Sequence, residues 1–275
     1  MKTVFFNSSH ASPTLKSQYT LNIPGGLTLR EGDTIALQSL TAPYCVFNVS
    51  AFYNNNSFSY IFNNITYTMQ IRDGFYTITD LNNLLQATMK ANGHYRLDSV
   101  GTEVYYLKIY YNPNLYAVQL NCSVISSTLP VGYTNPQNFY TSGSDTCMQL
   151  VIPATNITQM FGFVPGTYPP EPQSTAYSTV STTTPNGAQV NSFILTCSLV
   201  NNTLNSSRSD AFYSFAPNVS FGQNINVQPN NLVWMPTRAG SYSNITIQFL
   251  DQNYGTIMDW RDTNIAVQLL IKSST

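Results

Sequence analysis

The chain has 275 residues, enough for one large β domain or two smaller ones with an ample core. Only 8% of the residues are charged, against about 25% in an average globular domain, and the formal net charge is −1. Because there is neither a cluster of Lys and Arg nor a stretch of about 18 apolar residues, the sequence predicts no direct binding of nucleic acid and no membrane-spanning helix.

The first residues are rich in Ser, Thr and Asn and show no periodicity. Residues 1–18 are therefore predicted to form an extended N-terminal arm rather than an element of the core. After Lys2 only Val4, Phe5 and Phe6 are apolar before polar residues follow, far short of the roughly 7–15 apolar residues of a signal peptide. We therefore expect the protein to be made in the cytoplasm.

Apolar and polar residues then alternate in many short segments, as in half-buried β-strands. The clearest segments are 19–23, 34–40, 58–62, 67–71, 104–111, 115–124, 148–152, 193–200, 245–249 and 265–271. The tripeptide from Asn112 to Asn114 predicts a hairpin turn between two of them.

One segment has helical spacing instead. A helix is predicted over about residues 80–92, with Thr79 as its N-cap and Gly93 as its stop. Its apolar face consists of Leu81, Leu84, Leu85 and Met89. Further along, residues 165–190 are rich in Pro, Thr, Ser and Gly and are predicted to form a long polar surface loop.

Many short strands, long polar loops and one helix indicate an all-β fold, an antiparallel sandwich with the jelly roll as the leading topology. No change in composition divides the chain after the arm. The sequence therefore predicts a single domain over residues 19–275.

Few residues are suited to catalysis. His10 lies in the predicted arm and His94 in a turn after the helix, where a lone His is more often solvated than catalytic. Asp251, Asp259 and Asp262 are the carboxylates that could serve a glycosidase, but Asp in turns ordinarily bonds its own backbone. The chain has no nucleophile elbow and no Gly-rich phosphate loop, so no catalytic residue is predicted and the protein is not expected to be an enzyme.

The four cysteines are far apart and form no CxxC pair, which argues against a metal or redox site. No metal ligand and no cofactor-binding residue is predicted. Buried free thiols are favoured, and a disulfide between two of the four stays open. The four are Cys45, Cys122, Cys147 and Cys197.

The chain contains 19 Tyr, some of them in pairs such as Tyr105–Tyr106 and Tyr110–Tyr111. Exposed Tyr forms protein interfaces and sugar-binding platforms alike, although Tyr is also common in strands. A polar surface with so little charge gains little solubility from self-repulsion, so much of it is expected to be covered by partners.

Three stretches resemble the penton, or minor capsid, proteins of virophages and polinton-like viruses. They are residues 71–77 leading into the helix, residues 150–153 with 160–166 and 168–169, and the tail from 241 to 269. They are spread over most of the chain but consist of turn and core residues.

The resemblance implies a single jelly roll in the virion, made in a host cytoplasm, of which five copies close each vertex of an icosahedral capsid. The implied partners are further copies of the chain, as a homopentamer, and the major capsid protein. The arm would reach under neighbouring subunits, and outer loops, including 165–190, would contact a host receptor. The alternative is a carbohydrate- or receptor-binding attachment module, and a sandwich-fold glycoside hydrolase is the least favoured class.

Overall fold

The computed structural model describes residues 1–136, 139, 143–188, 190–203 and 208–274. The strands formed by these residues are β1 (Lys2–Asn7), β2 (Gln18–Leu29), β3 (Thr34–Pro43), β4 (Ser57–Phe62), β5 (Ile65–Gln70), β6 (Arg96–Leu97), β7 (Glu103–Val104), β8 (Leu107–Asn112), β9 (Ala117–Cys122), β10 (Val124–Ile125), β11 (Thr146–Cys147), β12 (Gln149–Ile152), β13 (Gly166–Tyr168), β14 (Tyr177–Val180), β15 (Phe193–Cys197), β16 (Ala211–Phe215), β17 (Asn224–Val227), β18 (Met235–Pro236), β19 (Gly240–Asp251) and β20 (Ala266–Lys272). The helices are α1 (Ile78–Ala91) and α2 (Ile157–Phe161), and a 3-10 turn covers Ser8–His10. Within these described residues no helix is both long and apolar enough to cross a membrane.

The chain divides into two compact units. The first, here called the sandwich unit, comprises Met1–Phe47 and Val190–Thr275. The second, the inserted unit, is Asn48–Gln189 and interrupts the sandwich unit between β3 and β15. The sequence predicts a single domain over 19–275, whereas the structure forms two compact units, and strands from both sides of the insertion complete one pair of sheets.

The sandwich unit has the strand order of a jelly roll. One sheet has the order β1-β20-β3-β17, with β18 also paired to β3, and the other has the order β16-β15-β19-β2. All these pairings are antiparallel. If the main strands are counted in chain order without β18, the two sheets read 1-8-3-6 and 5-4-7-2, the interleaved pair of Greek keys that defines the jelly roll. The predicted all-β jelly-roll sandwich is confirmed.

The N-terminal segment is part of this sandwich. Strand β1 pairs with β20 from Lys2↔Ile271 to Asn7↔Ala266, and the side chain of Phe6 is 1% exposed. The extended arm predicted over 1–18 is wrong here, because backbone pairing with β20 and the buried ring of Phe6 hold residues 2–7 in the sheet. Strand β2 begins at Gln18, so the end of the predicted arm also enters a sheet.

Aromatic side chains fill the space between the two sheets of the sandwich unit. Phe249 and Trp260 stack with ring centroids 4.9 Å apart, and Phe193 meets Trp260 edge-on at 5.7 Å. Tyr19 meets Phe249 edge-on at 6.1 Å. All four side chains are almost completely buried, so β2, β15 and β19 are fixed through their inward-facing residues.

The inserted unit has two larger sheets, β13-β12-β4-β5 and β14-β9-β8, with the two-stranded pairs β6-β7 and β10-β11 beside them. Helix α1 contributes Leu81, Leu85 and Met89 to its hydrophobic core. The backbone amide of Ile109 in β8 donates to Asn82 Oδ1 at 3.0 Å, which fixes the helix against the second sheet.

The helix predicted over 80–92 is confirmed, but it begins two residues earlier, at Ile78. Thr77 is the N-cap: its hydroxyl accepts from the Asp80 amide at 3.1 Å, and Asp80 Oδ2 accepts from the Thr77 amide at 2.8 Å. The predicted cap, Thr79, is exposed in the first turn. The reciprocal Thr–Asp bonds satisfy two backbone donors and decide the start of the helix.

The predicted loop over 165–190 contains two short strands. Strand β13 pairs with β12, and β14 pairs with β9. These strands have three and four residues, too few for alternation to distinguish them from loop.

The two ends of the inserted unit are joined by Asn48. Its side-chain amide donates to the carbonyls of Tyr76 at 2.7 Å and Gly187 at 2.6 Å, so the first residue of the unit is bonded to its last segment.

Candidate assembly surface

Two of the three carboxylates considered for catalysis hold turns. Asp251 Oδ1 accepts from the backbone amides of Asn253 at 2.8 Å and Gly255 at 2.7 Å. Asp262 Oδ1 accepts from the amide of Asn264 at 2.9 Å. These are the local bonds expected of Asp in turns.

The third carboxylate, Asp259, is 8% exposed and forms an ion pair with Arg261 at 2.5 Å. The Arg261 guanidinium also lies 4.4 Å from the centroid of the Phe47 ring. Asp259 is thus neutralised by a cation that packs on an aromatic face. In the described part of the chain, no group of three His, Cys, Asp or Glu residues could hold a metal ion.

The two histidines lie in different surroundings. His10 Nδ1 accepts from the Asn7 amide at 3.1 Å and closes the 3-10 turn after β1. His94 is only 6% exposed, so the prediction of a solvated turn residue is wrong. Its ring lies among Tyr60, Phe62 and Tyr67, because the chain folds back onto β4 and β5 after the helix.

All four cysteines are buried and free, as favoured from the sequence. Burial raises the pKa of the Cys122 thiol to about 12 and that of the Cys197 thiol to about 12. Burial also raises the pKa of Cys45 and Cys147. Thiols with raised pKa values are poor nucleophiles, so these side chains serve as small apolar core residues.

Arg96, which the sequence did not single out, is a completely buried cation in the inserted unit. It donates to the Ser126 carbonyl at 2.7 Å and to Asn135 Oδ1 at 3.1 Å. Its guanidinium also lies 5.8 Å from the Tyr106 ring centroid and 5.0 Å from that of Phe139. Because these contacts tie Ser126, Asn135 and Phe139 to β6, Arg96 has a structural role.

The clearest exposed apolar surface of the sandwich unit lies along its edge strands β1 and β2. Among the described residues, β1 pairs with β20 alone, and β2 pairs with β19 and has one further bridge, Ala11↔Tyr19, near its start. The rest of the outer backbone edge of each strand is open. A cavity of about 710 Å³ lies between the two strands. Its apolar lining includes Val4, Phe5, Leu21, Ile23, Leu27 and Ile271.

We call this cavity, together with strands β1 and β2 that border it, the edge groove. Phe5 is the most exposed large apolar side chain among those that line it. Its side chain is 60% exposed, whereas that of the next residue, Phe6, is 1% exposed. The alternation of the strand therefore sends one aromatic ring into the core and the other towards solvent. The two adjacent Phe residues were the sequence feature that could have indicated this exposed ring, but they predict it only if the segment is known to be a strand.

The tyrosine pairs noted in the sequence do not all divide in this way. Tyr106 is buried, whereas Tyr110 and Tyr111 are 38% and 40% exposed near the end of β8. Tyr111 meets Tyr116 edge-on across the hairpin at 6.0 Å. The β8–β9 hairpin therefore presents aromatic surface to solvent.

Comparison with known proteins gives similarity at the level of structure. No family model matches the chain, and no curated protein matches it. It is similar to the crystal structure of the mavirus penton protein, with a TM-score of 0.43, 8% identity, and coverage of 99% of this chain and 98% of that one. It is also similar to a chain in the cryo-EM structure of the Sputnik virophage, with a TM-score of 0.36, 13% identity, and coverage of 98% and 97%.

Proposed function

We propose that this chain is a structural subunit of an icosahedral virus capsid and that five copies close a vertex. The observation that carries the proposal is a jelly-roll sandwich whose neighbouring edge strands, β1 and β2, border an exposed apolar groove. The jelly roll is a recurrent capsid architecture, although lectins and cupins share it. The sequence resemblance to virophage and polinton-like penton proteins selects the capsid from among these classes.

A ring of identical subunits needs two different surfaces that fit each other. The sandwich unit has such a pair, because its two sheets end at β1 and β2 on one side and at β17 and β16 on the other. In the proposed ring, the edge groove of one copy receives the β16–β17 edge of the next. Burial of Phe5 and its apolar neighbours would then drive the contact.

The composition supports extensive contact between subunits. Only 8% of the residues are charged, so little charge has to be desolvated when surfaces meet. The proposal includes the major capsid protein as the second partner, a location in the virion, and synthesis in the host cytoplasm.

The proposed role is non-enzymatic. Asp251, Asp259 and Asp262, the residues on which a glycoside hydrolase would depend, bond backbone amides or Arg261. A hydrolase would instead need two carboxylates facing one cleft. No observation favours that alternative.

The substitution Phe5→Ser tests whether the edge groove is the assembly surface. It should reduce the native mass measured by light scattering to that of a monomer, because the apolar contact across the groove is lost. At protein concentrations low enough for the wild type to be monomeric, its unfolding midpoint should stay close to wild type, since Phe5 is exposed in the single chain.

The matched control is Phe52→Ser, which removes a ring that is 63% exposed in the inserted unit. This variant should assemble as the wild type does. An unchanged mass for Phe5→Ser, or an equal loss of assembly in both variants, would contradict the assignment of the groove.

A further inference from the structure

The three-stranded sheet β14-β9-β8 of the inserted unit has one buried and one open face. Leu107, Ile109, Val118 and Leu120 point into the core. The alternate residues form the other face, with Tyr110 opposite Gln119 and with Lys108 and Ser178 on either side of Asn121. We call this the amide face. Its polar residues are Lys108, Tyr110, Asn112, Gln119, Asn121 and Ser178, and Ala117 and Val180 lie on the same face.

Hydrogen bonds between its own side chains hold the amide face in one arrangement. Asn112 donates to Gln119 Oε1 at 2.8 Å, and Gln119 donates to Ser178 Oγ at 3.2 Å and to Asn121 Oδ1 at 3.3 Å. Ser178 donates to the same Asn121 oxygen at 2.7 Å, and Asn121 donates to the Tyr110 hydroxyl at 3.3 Å. The orientation of each amide is thereby fixed before any ligand arrives.

The face keeps unused hydrogen-bonding capacity. Within the described residues the Tyr110 hydroxyl accepts from Asn121 and donates to no side chain, and its ring is 38% exposed. Amide groups carry two donors and an acceptor with two lone pairs, so Asn121 and Gln119 can each bond a ligand as well. Lys108, at one corner, is the one charged residue of the face.

We propose that the amide face binds a neutral oligosaccharide. Fixed amides match the paired donors and acceptors of adjacent sugar hydroxyls, and an exposed aromatic ring packs against the apolar C–H face of a pyranose. Because the side chains are already ordered, binding costs little conformational entropy. A face with one cation and no carboxylate does not select a strongly charged ligand.

This site goes beyond the proposed assembly function, since it uses the inserted unit and none of the residues of the edge groove. It assigns the chain a glycan-recognition activity in addition to a structural one. Loss of sugar binding and loss of assembly are thus separable: a substitution on the amide face should leave the native mass unchanged.

The test is titration of the full chain with maltotetraose, cellotetraose, mannotetraose and chitotetraose, followed by NMR saturation transfer and calorimetry. At least one tetrasaccharide should bind at or below about 10 mM. Tyr110→Ala and Gln119→Ala should each weaken that binding by about tenfold, the effect of losing one good hydrogen bond or ring contact. If none of the four binds at about 10 mM, the proposal is wrong.

Asn226→Ala is the matched control. Asn226 is an exposed strand amide of the sandwich unit that accepts from Thr41 at 2.9 Å, so this variant should bind the sugar as the wild type does. Equal binding by Tyr110→Ala and wild type would overturn the assignment to this face. If Gln119→Ala fails to fold, Tyr110→Ala still decides the question, because Tyr110 takes part in a single long side-chain bond.

Discussion

The residue with the most unusual surroundings is His94. Its Nδ1 lies 2.8 Å from the Tyr60 hydroxyl, which in turn accepts from the Asn92 side-chain amide at 3.3 Å. The tautomer of the imidazole decides which of the two groups donates in this bond, whereas protonation of the buried ring costs its hydration in either case. Burial lowers the pKa of His94 from 6.5 to about 4.

This shift predicts that acid destabilises the inserted unit. The unfolded chain takes up the proton near pH 6.5 and the folded chain only near pH 4. As the pH drops from 6.5 to 4, the free energy of unfolding therefore decreases, by about 3 kcal/mol in total. His94→Gln, which keeps a hydrogen-bonding group but cannot titrate, should remove this dependence. Urea unfolding at several pH values measures it.

His10→Gln is the control for His94, and it should retain the pH dependence of the wild type. Parallel loss of stability with acid in His94→Gln and wild type would contradict the assignment.

The burial of His94 was not predictable from its neighbours in sequence, because Tyr60, Phe62 and Tyr67 lie about 30 residues earlier and meet it only in the folded sheet.

At the scale of the element, strand β1 places two adjacent Phe side chains on opposite faces, Phe6 in the core and Phe5 towards solvent. Phe6→Ala should lower the free energy of unfolding by about 3–5 kcal/mol, since it leaves a cavity where a ring is 1% exposed. For the monomeric chain, Phe5→Ala should change the same quantity by less than about 0.5 kcal/mol. Chemical denaturation of both variants measures the difference, and equal effects would show that β1 does not pack as described.

Helix α1 gives a second comparison between neighbouring residues. Thr77→Ala should cost about 1 kcal/mol of stability, because it removes the hydroxyl that accepts from the Asp80 amide. Thr79→Ala should be close to neutral, since this side chain is exposed inside the first turn. Thermal unfolding of the two variants checks the assignment, and a larger loss for Thr79→Ala would restore the cap predicted from the sequence.

The sequence pattern predicted those helices and strands that are determined by residues close together in the chain. Alternation located most of the longer strands, and the spacing from Leu81 to Met89 located α1. The two candidate caps, Thr77 and Thr79, are alike in residue type, and only the reciprocal bonds between Thr77 and Asp80 distinguish them. Strand β1 was missed because its pattern is short and its partner, β20, lies at the other end of the chain.

At the scale of the whole molecule, the jelly-roll order depends on pairings between distant segments. Lys2 pairs with Ile271, and the strands on either side of the inserted unit share the same two sheets. Such pairings leave no mark on local periodicity, which is why one domain was predicted where the chain forms two compact units. The edge groove could not be predicted from the sequence for the same reason, because β1 and β2 become neighbours only in the folded sandwich.

The central claim is that copies of this chain close a five-membered ring. Native mass spectrometry of the purified protein, with electron-microscopy class averages of the same fraction, tests it most directly. The account predicts a complex of five 30.6 kDa chains that appears as rings with five-fold symmetry. A stable trimer, or a monomer whose mass does not change up to the highest concentration reached, would contradict it.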